Sequence, residues 1–248
     1  MSIKAITFDY WDTIFKMDSE FNPKVFRIEK AKMIISQFKI NLDDRHLADL
    51  IDEVWKKFDD EWQNNYRTMT TEEIIDFILT KLEVKIPNDQ FESLVIFFQE
   101  AILKSPPKLF DGVREAIDQL SKKYKLGIIS DTGFTPGRVL RKILEMNDLR
   151  KYFSVCIFSD EFGKSKPHPD VFYRAAKSLE CDISELVHIG DNERTDISGA
   201  DSSGARSILF IKEKIFSGST KATAVLDHWK NCIELISNLE NGILKKTI

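Results

Sequence analysis

Side chains that can attack an electrophile, bind a cation or stabilise an anion recur along the chain, mostly just after apolar segments. A carboxylate can act as a nucleophile and carry a covalent intermediate. Magnesium prefers carboxylate oxygens together with water and substrate phosphate, and a lysine or a hydroxyl can stabilise the oxygens of a transferring phosphoryl group. The residues that would support such chemistry, if the fold brings them together, are Asp9, Asp12, Ser130, Asp131, Lys166, Asp191 and Asp196.

Apolar, strand-like segments precede most of these side chains and are the elements that must position them. They span residues 3–8, 126–129, 155–158, 186–189 and 207–211, and helical patterns lie between them. Apolar strands without polar alternation, separated by helices, predict a parallel sheet that is covered on both faces. Because ligands bind beyond the carboxyl ends of such strands, we expect the polar side chains to meet at one edge of the sheet.

The region between the first and second strands shows only helical patterns. Apolar residues at helical spacing form a stripe over residues 47–62. Thr70 with Glu73 three positions later predicts a capping box at the start of a second helix. Segments 25–38 and 88–102 complete four helices with apolar faces, which predict a small bundle. We interpret the aromatic residues of the 47–62 stripe as bundle core, with a pocket wall as the open alternative.

The helical region is therefore predicted to be an insertion into an α/β domain, placed directly after its first strand. The segment Ser105-Pro106-Pro107 is a natural linker back to the alternating strands and helices. We expect one domain to consist of residues 1–17 and 105–248, and a second, helical domain to consist of residues 18–104.

Composition narrows the classes of partner. The chain has 248 residues with 36 Lys and Arg against 40 Asp and Glu, so its net charge is −4. A nucleic-acid binder needs a basic surface, and no segment approaches the roughly 20 apolar residues of a membrane span, so we expect neither partner. No signal-peptide pattern begins the chain, and no CxxC pair occurs among Cys156, Cys181 and Cys232. Three widely spaced cysteines favour a reducing cytoplasm.

The order and spacing of the polar motifs resemble the haloacid dehalogenase superfamily of hydrolases over nearly the whole chain. The family pattern is an apolar strand followed by D-x-D-x-T, a hydroxyl residue after the second strand, a K-P-x-P segment and a G-D-x-x-x-x-D acidic pair. The matching positions are Asp9, Thr13, Ser130, Lys166, Asp191 and Asp196. The resemblance implies an α/β fold with a Rossmann-like core, whose central parallel sheet is flanked by helices, plus a four-helix-bundle cap domain.

The resemblance further implies a phosphatase that acts on a small phosphorylated metabolite through an aspartyl-phosphate intermediate. Asp9 would be the nucleophile, and Thr13, Ser130 and Lys166 would be further catalytic residues. Ser130, Asp131 and Lys166 would bind the substrate, and the cap would close over the site and select the substrate. The sequence leaves open whether the chain is a monomer or a homodimer.

A magnesium ion is the cofactor that the resemblance implies. Its expected ligands are the carboxylates of Asp9 and Asp191 and the main-chain carbonyl of Trp11. Asp196 completes the acidic metal site and would orient Lys166 or a metal-bound water.

One position departs from the phosphatase pattern. Phosphatases of this family carry a second aspartate two residues after the nucleophile, and that residue protonates the leaving group and later activates water. Trp11 occupies this position, and we do not expect the neighbouring Asp12 to substitute, because adjacent side chains point elsewhere. Loss of a general acid costs roughly 10²–10⁴-fold on poor leaving groups. The sequence therefore favours substrates with good leaving groups, such as acyl or aryl phosphates.

Two alternative functions remain open. A 2-haloacid dehalogenase would use the nucleophilic aspartate to attack carbon without a metal, and that branch also lacks the second aspartate. The acidic pair Asp191 and Asp196 argues against it, as does Phe172 at the position of that branch's tyrosine. Arg27 or Arg67 could bind its substrate carboxylate. The other alternative is a catalytically weak binding protein on the same scaffold.

Overall fold

The structure is a computed structural model that describes residues 2–16, 23–35, 44–212 and 218–243. In chain order its strands are β1 (Ala5–Phe8), β2 (Phe15–Lys16), β3 (Lys108–Leu109), β4 (Lys125–Ser130), β5 (Phe153–Phe158), β6 (Leu186–Gly190), β7 (Arg206–Phe210) and β8 (Ala224–Leu226). Six of them form one parallel sheet in the order β5-β4-β1-β6-β7-β8. The predicted central parallel sheet is thereby confirmed.

Ten α-helices lie in the described part of the chain. They are α1 (Pro23–Ile35), α2 (Asp44–Asn64), α3 (Thr71–Lys81), α4 (Asn88–Glu100), α5 (Val113–Ser121), α6 (Gly137–Met146), α7 (Ser159–Phe162), α8 (Pro169–Ser178), α9 (Ser198–Ser203) and α10 (Cys232–Glu240). Helices α5, α6 and α10 pack in one apolar cluster with the sheet, and α8 and α9 pack in another. The sheet is therefore flanked by helices on both faces, as expected. None of the described helices has the length and apolar character needed to cross a membrane.

The central strand β1 brings the ends of three strands to the same level. Phe8 is paired with Ile128 of β4 on one side and with Ile189 of β6 on the other. The next residue, Asp9, donates its backbone N–H to the carbonyl of Ile189 at 2.8 Å. All four residues of β1 are buried, because a central parallel strand is covered on both faces. Residues that follow β1, β4 and β6 therefore start side by side.

Helices α1 to α4 lie between β2 and β3, which pair with each other in antiparallel fashion. Phe15 of β2 is opposite Leu109 of β3, so the chain leaves and re-enters the α/β core at one place. Helix α3 packs against α2 in one apolar cluster and against α4 in another. The four expected helices are present, while the predicted domain limits at residues 18 and 104 stay a prediction.

Helix α2 divides its apolar stripe between two environments. Leu50 and Val54 are buried in the cluster shared with α3. In contrast, Trp55 is 38% exposed, and Phe58 and Trp62 are half-buried. These three aromatic side chains line a cavity at the sheet edge. The interpretation of the whole aromatic stripe as bundle core was therefore wrong for this half of the helix, and the pocket alternative applies.

Several predicted boundaries shift, and some elements were not predicted. The Thr70–Glu73 capping box is present at the start of α3, and it closes both reciprocal hydrogen bonds. Residues 36–38 of the predicted first helix lie outside the described residues. The short helix expected over residues 194–201 is a π-helical turn at Glu193–Ile197 followed by α9. Strand β8 was missed because three residues at a sheet edge give little periodicity.

Candidate active site

Lys166 lies between two carboxylates at the carboxyl edge of the sheet. Its Nζ is 2.5 Å from Asp9 Oδ1 and 2.6 Å from Asp196 Oδ1. Asp9 directly follows β1, Asp196 lies in the π-helical turn after β6, and Lys166 precedes α8. All three side chains are buried. The fold thus brings together three residues that stood out in the sequence but are far apart along the chain.

Asp196 is held by hydrogen bonds to both of its carboxylate oxygens. His188 donates from Nε2 to Asp196 Oδ1 at 3.0 Å and accepts at Nδ1 from the Thr7 hydroxyl, also at 3.0 Å. The backbone N–H of Asn192 donates to Asp196 Oδ2 at 3.0 Å. A Cβ on Gly190 would lie 2.2 Å from Asp196 Cγ, so only glycine leaves room for this side chain. With both oxygens engaged, Asp196 is suited to orienting the neighbouring lysine.

Burial and charge separate the pKa values of the three buried groups. Burial raises the pKa of Asp9 to about 8, against the opposing effect of the Lys166 ammonium. Burial also acts to raise the pKa of Asp196, but Lys166 and the hydrogen bond from His188 hold it below its ordinary value. Burial acts to lower the pKa of Lys166, and the Asp196 and Asp9 carboxylates raise it above its ordinary value. The charge of one lysine is therefore not enough to keep both buried carboxyl groups ionised, and Asp196 keeps its negative charge more readily than Asp9.

Three carboxylates at this edge fit a divalent cation. Asp9, Asp191 and Asp196 each offer an oxygen, and these oxygens lie within 4.8 Å of one another. Oxygens that share one magnesium ion lie about 3–4 Å apart, because each is bound at about 2.1 Å. An ion bound by all three would therefore require these oxygens to move closer together. Burial raises the pKa of Asp191 as well, so a cation that neutralises this group would relieve the cost of burying its charge.

A second lysine, which the sequence analysis missed, reaches the same acidic group. Lys212 Nζ lies 2.8 Å from Asp191 Oδ2 and 3.1 Å from Asp12 Oδ2. Burial acts to lower the pKa of Lys212, but the two carboxylates, Asp191 foremost, raise it above its ordinary value. The available signal was its place two residues beyond β7, at the same sheet edge as the other polar residues. Asp12 is thus engaged in an ion pair.

A cavity with a volume of about 400 Å³ opens beside the acidic group. Asp9, Lys166 and Asp191 line it on the side of the sheet. Helix α2 supplies much of the opposite side, so the inserted helices shape the space in front of Asp9. The aromatic lining, which we call the aromatic wall, consists of Trp11, Trp55, Phe58 and Trp62.

Asp131 connects the aromatic wall to the lysine loop. Its Oδ2 accepts a hydrogen bond from Trp62 Nε1 at 2.8 Å, and its Oδ1 accepts one from the backbone N–H of Lys166 at 2.9 Å. On the other side of Trp62, the Arg194 guanidinium lies over the indole ring, 4.1 Å from its centroid. Asp131 lines the cavity, and these contacts fix both the indole and the lysine backbone.

Two residues expected to act in catalysis lie away from the described cavity lining. Thr13 is fully buried, and its hydroxyl has no hydrogen-bond partner among the described residues. Ser130 is also buried, and its hydroxyl donates to the carbonyl of Asp131 at 3.3 Å. The catalytic roles of Thr13 and Ser130 and the substrate contact of Ser130 stay predictions, and an incoming phosphate would have to draw the Ser130 hydroxyl away from this bond.

The residues considered for dehalogenase chemistry also lie elsewhere. Phe172 is fully buried, with its ring centroid 5.2 Å from that of His188. Arg27 is buried and donates to the carbonyl of Phe98 at 2.8 Å, and Arg67 forms ion pairs with two glutamates. None of Phe172, Arg27 and Arg67 belongs to the described lining of the cavity. A guanidinium for a substrate carboxylate is therefore not supplied by either arginine considered.

Two relatives carry the names of phosphatases. The chain is 31% identical over 139 residues to the glyceraldehyde 3-phosphate phosphatase of Pyrococcus abyssi (strain GE5 / Orsay), and this match covers 54% of this chain and 56% of that protein. It is 24% identical over 191 residues to the pyrophosphatase PpaX of Bacillus mycoides (strain KBAB4), and this match covers 73% of this chain and 85% of that protein. The first match thus spans little more than half of that relative.

The fold and the sequence of this chain each match known proteins. The solved 2-haloacid dehalogenase from Pseudomonas syringae pv. Tomato DC3000 has a TM-score of 0.73 and 20% identity, and the match covers 96% of this chain and 99% of that one. At this identity the likeness shows the fold. The pattern of the haloacid dehalogenase-like hydrolases matches residues 31–210. Since that match spans most of the chain, the protein belongs to the haloacid dehalogenase-like hydrolase family.

Proposed function

We propose that this hydrolase is a magnesium-dependent phosphatase that acts on small phosphorylated molecules through Asp9. The observation that carries the proposal is the position of Lys166 Nζ, 2.5 Å from Asp9 Oδ1 and beside a carboxylate cluster that fits a divalent cation. A phosphate group brings negative charge to a carboxylate nucleophile, so the site must hold positive charge at the point of attack. The lysine and the cation site meet that need.

The chain's own groups support a two-step displacement. A carboxylate oxygen of Asp9 attacks phosphorus, and the bond from phosphorus to the ester oxygen breaks, so that its electron pair leaves with that oxygen. Water then attacks the phosphorus of the aspartyl phosphate and gives a proton to the solvent, which releases phosphate and restores the carboxylate. Lys166 stabilises the phosphoryl oxygens in both steps. Asp196 keeps the lysine in place, since its Oδ1 accepts from Lys166 Nζ at 2.6 Å.

Asp9 and Asp191 are the groups that would hold the magnesium ion, with the main-chain carbonyl of Trp11 as the third expected ligand. The ion supplies positive charge that neutralises the carboxylates and the phosphoryl oxygens. Asp196 was included in the expected metal site, but hydrogen bonds already engage both of its oxygens. We assign Asp196 to holding Lys166 instead of binding the ion directly.

The relatives support the class of substrate. One is named for the hydrolysis of glyceraldehyde 3-phosphate and the other for pyrophosphate. Because the match to the first relative covers only 56% of that protein, it supports a small phosphorylated substrate without selecting one. The reducing cytoplasm expected from the cysteine pattern stays part of this proposal.

One observation favours a second candidate, a metal-free haloacid dehalogenase. Lys166 and Lys212 pair with Asp9 and Asp191 and so offset part of the acidic charge without a cation. In that reaction Asp9 would attack carbon, and the carbon–halogen bond would break with its electrons on the halide. The position of Arg67, away from the described cavity lining, speaks against recognition of the acid substrate.

Hydrolysis of p-nitrophenyl phosphate tests the proposal directly. We expect turnover with magnesium, none with EDTA, and a loss of about 10³-fold or more in Asp9→Asn, because the amide cannot attack. Asp201→Asn makes the same chemical change on the exposed surface of α9 and is the matched control, with activity expected to stay unchanged. Absence of turnover in magnesium, together with halide release from 2-chloropropionate in EDTA, would establish the second candidate instead.

A further inference from the structure

The aromatic wall presents apolar surface that protein contacts leave uncovered. Trp55 is 38% exposed, although its ring meets Phe58 edge-on with the centroids 5.6 Å apart. Trp11 and Trp62 line the same cavity as the nucleophile Asp9. Aromatic rings attract other rings in edge-on or offset-stacked arrangements. The wall therefore favours a flat, apolar group attached to the phosphate.

The wall is already in place before a ligand binds. Trp62 is fixed between the carboxylate of Asp131 and the guanidinium of Arg194. The ring of Phe58 lies against the loop after β4, because a Cβ built on Gly133 would be 3.5 Å from its Cε2 atom. A preformed surface loses little conformational entropy when a ligand binds. Selectivity for a ring can therefore come from the wall without a large rearrangement.

Two polar side chains beside the wall, Thr68 and Asp131, are engaged within the protein. The hydroxyl of Thr68, which lines the cavity, is 2.6 Å from that of Ser159. Both carboxylate oxygens of Asp131 accept hydrogen bonds from protein groups. A sugar phosphate would bring several hydroxyls to this side, and each buried hydroxyl without a partner lowers affinity. Thr68 and Asp131 are therefore not free to hold the hydroxyls of a sugar beside the wall.

The chemistry of the leaving group points the same way. Trp11 stands where a general acid would act, and an indole does not transfer a proton at neutral pH. An alkoxide is about as basic as hydroxide, whose conjugate acid, water, has a pKa of about 15.7. A phenolate is far less basic, because a phenol has a pKa of about 10. A phenolate can therefore leave with the electron pair of the broken phosphorus–oxygen bond and take a proton from solvent afterwards.

We infer that the substrates of this site are aryl phosphates, in which the ester oxygen belongs to a phenol; this inference rests on the proposed phosphatase function. The ring lies against Trp55 and Phe58 while the phosphate lies at Asp9 and Lys166. Asp59 also lines the cavity and is exposed, so a further carboxylate on the ring is disfavoured by like charge.

Two non-hydrolysable inhibitors of matched size separate ring recognition from leaving-group reactivity. Phenylphosphonate and cyclohexylphosphonate are compared as competitive inhibitors of p-nitrophenyl phosphate hydrolysis in magnesium. We expect phenylphosphonate to bind about tenfold more tightly, since aromatic contacts of this kind favour a ring over an aliphatic group of equal size. Phenyl phosphate is also expected to be hydrolysed at least about 10²-fold faster than cyclohexyl phosphate.

Variants of the wall assign the preference to particular residues. Trp55→Leu and Phe58→Leu are each expected to reduce the ratio of inhibition constants to about twofold. Tyr173→Leu removes a ring that is 47% exposed on α8 and is the control that keeps the ratio. Hydrolysis with equal inhibition by both phosphonates would overturn the inference and leave the phosphatase proposal standing. No hydrolysis of any of these esters in magnesium would overturn both.

Discussion

Lys212 Nζ lies 2.8 Å from Asp191 Oδ2, so a lysine contacts a carboxylate that we assign to the metal ion. The side chain of Lys212 is 29% exposed and that of Asp191 is 18% exposed, so the pair is only partly shielded from water. A metal ion and an ammonium that bind the same carboxylate repel each other, so each weakens the binding of the other. Lys212 therefore competes with the cation for Asp191.

Replacing this lysine should strengthen metal binding. Lys212→Met keeps most of the stem and removes the charge, and we expect the magnesium dissociation constant to fall by about three- to fivefold, the value of a partly exposed ion pair. Isothermal titration calorimetry of the wild type and the variant measures the change. Lys122→Met removes a surface ion pair to Asp118 and should leave magnesium affinity unchanged. A weaker affinity in Lys212→Met would mean that the lysine instead holds Asp191 in position.

Gly190 leaves the space that Asp196 needs. In Gly190→Ala the new Cβ would lie 2.2 Å from Asp196 Cγ, so the carboxylate must move and release Lys166. We expect kcat for p-nitrophenyl phosphate to fall by about 10²-fold, since a displacement of about 1 Å in a catalytic group has that effect. Gly137→Ala creates a similar clash, 2.4 Å from Phe158 Cδ2, away from the cavity lining. It should lower the melting temperature without this loss of kcat, and an equal loss in both variants would contradict the assignment.

The buried thiol of Cys232 makes the free energy of unfolding depend on pH in the alkaline range. Burial raises its pKa to about 12 from an ordinary 9.0. The pKa of this thiol is higher in the folded than in the unfolded protein. The contribution of the buried thiol to the free energy of unfolding is therefore fully present below about pH 9. It is lost as the pH rises toward 12, at up to about 1.4 kcal/mol per pH unit. Cys232→Ala lacks this loss. Its deficit in unfolding free energy relative to the wild type, measured with urea, should therefore shrink between about pH 8 and about pH 10.5, and a constant deficit would refute this.

The parallel sheet could be predicted from the sequence because strands that are buried on both faces consist almost entirely of apolar residues. Strands β1, β4 and β6 are nearly continuous apolar runs, and a polar residue follows each of them at the same edge. The position of Asp9 beside Lys166 and Asp196 follows from that topology. Local pattern and global fold agree at these elements, so the acidic edge can be predicted from the sequence.

Contacts between distant segments were not predictable in the same way. The stripe on α2 has one helical period throughout, yet Val54 packs inside the bundle and Trp55 lines a cavity. Periodicity reports which face of a helix turns away from solvent, and it does not report what covers that face. Lys212 was missed for a related reason, because a lysine after a strand has the composition of an ordinary surface residue until its partner Asp191 is known.

The indole of Trp11 should determine which leaving groups the enzyme tolerates. In Trp11→Asp a carboxyl group returns to the position of the general acid, and we expect kcat/KM for alkyl phosphates such as cyclohexyl phosphate to rise by about 10²-fold or more. Aryl phosphates should gain much less, because their leaving groups need no proton. The measurement is the slope of log kcat/KM against leaving-group pKa, which is expected to be steep in the wild type and shallow in the variant.

Trp11→Asn separates the effect of proton donation from the effect of removing the indole ring. Asparagine has nearly the same size as aspartate but cannot donate a carboxyl proton, so this variant should keep the steep slope while it opens the cavity to the same extent. Equal gains on alkyl phosphates in both variants would mean that the size of the indole limits the reaction. A shallow slope in the wild type would mean that another carboxyl group in the cavity lining, Asp12 or Asp59, already protonates the leaving group. Only a steep wild-type slope that Trp11→Asp flattens and Trp11→Asn preserves assigns the substrate preference to the missing acid.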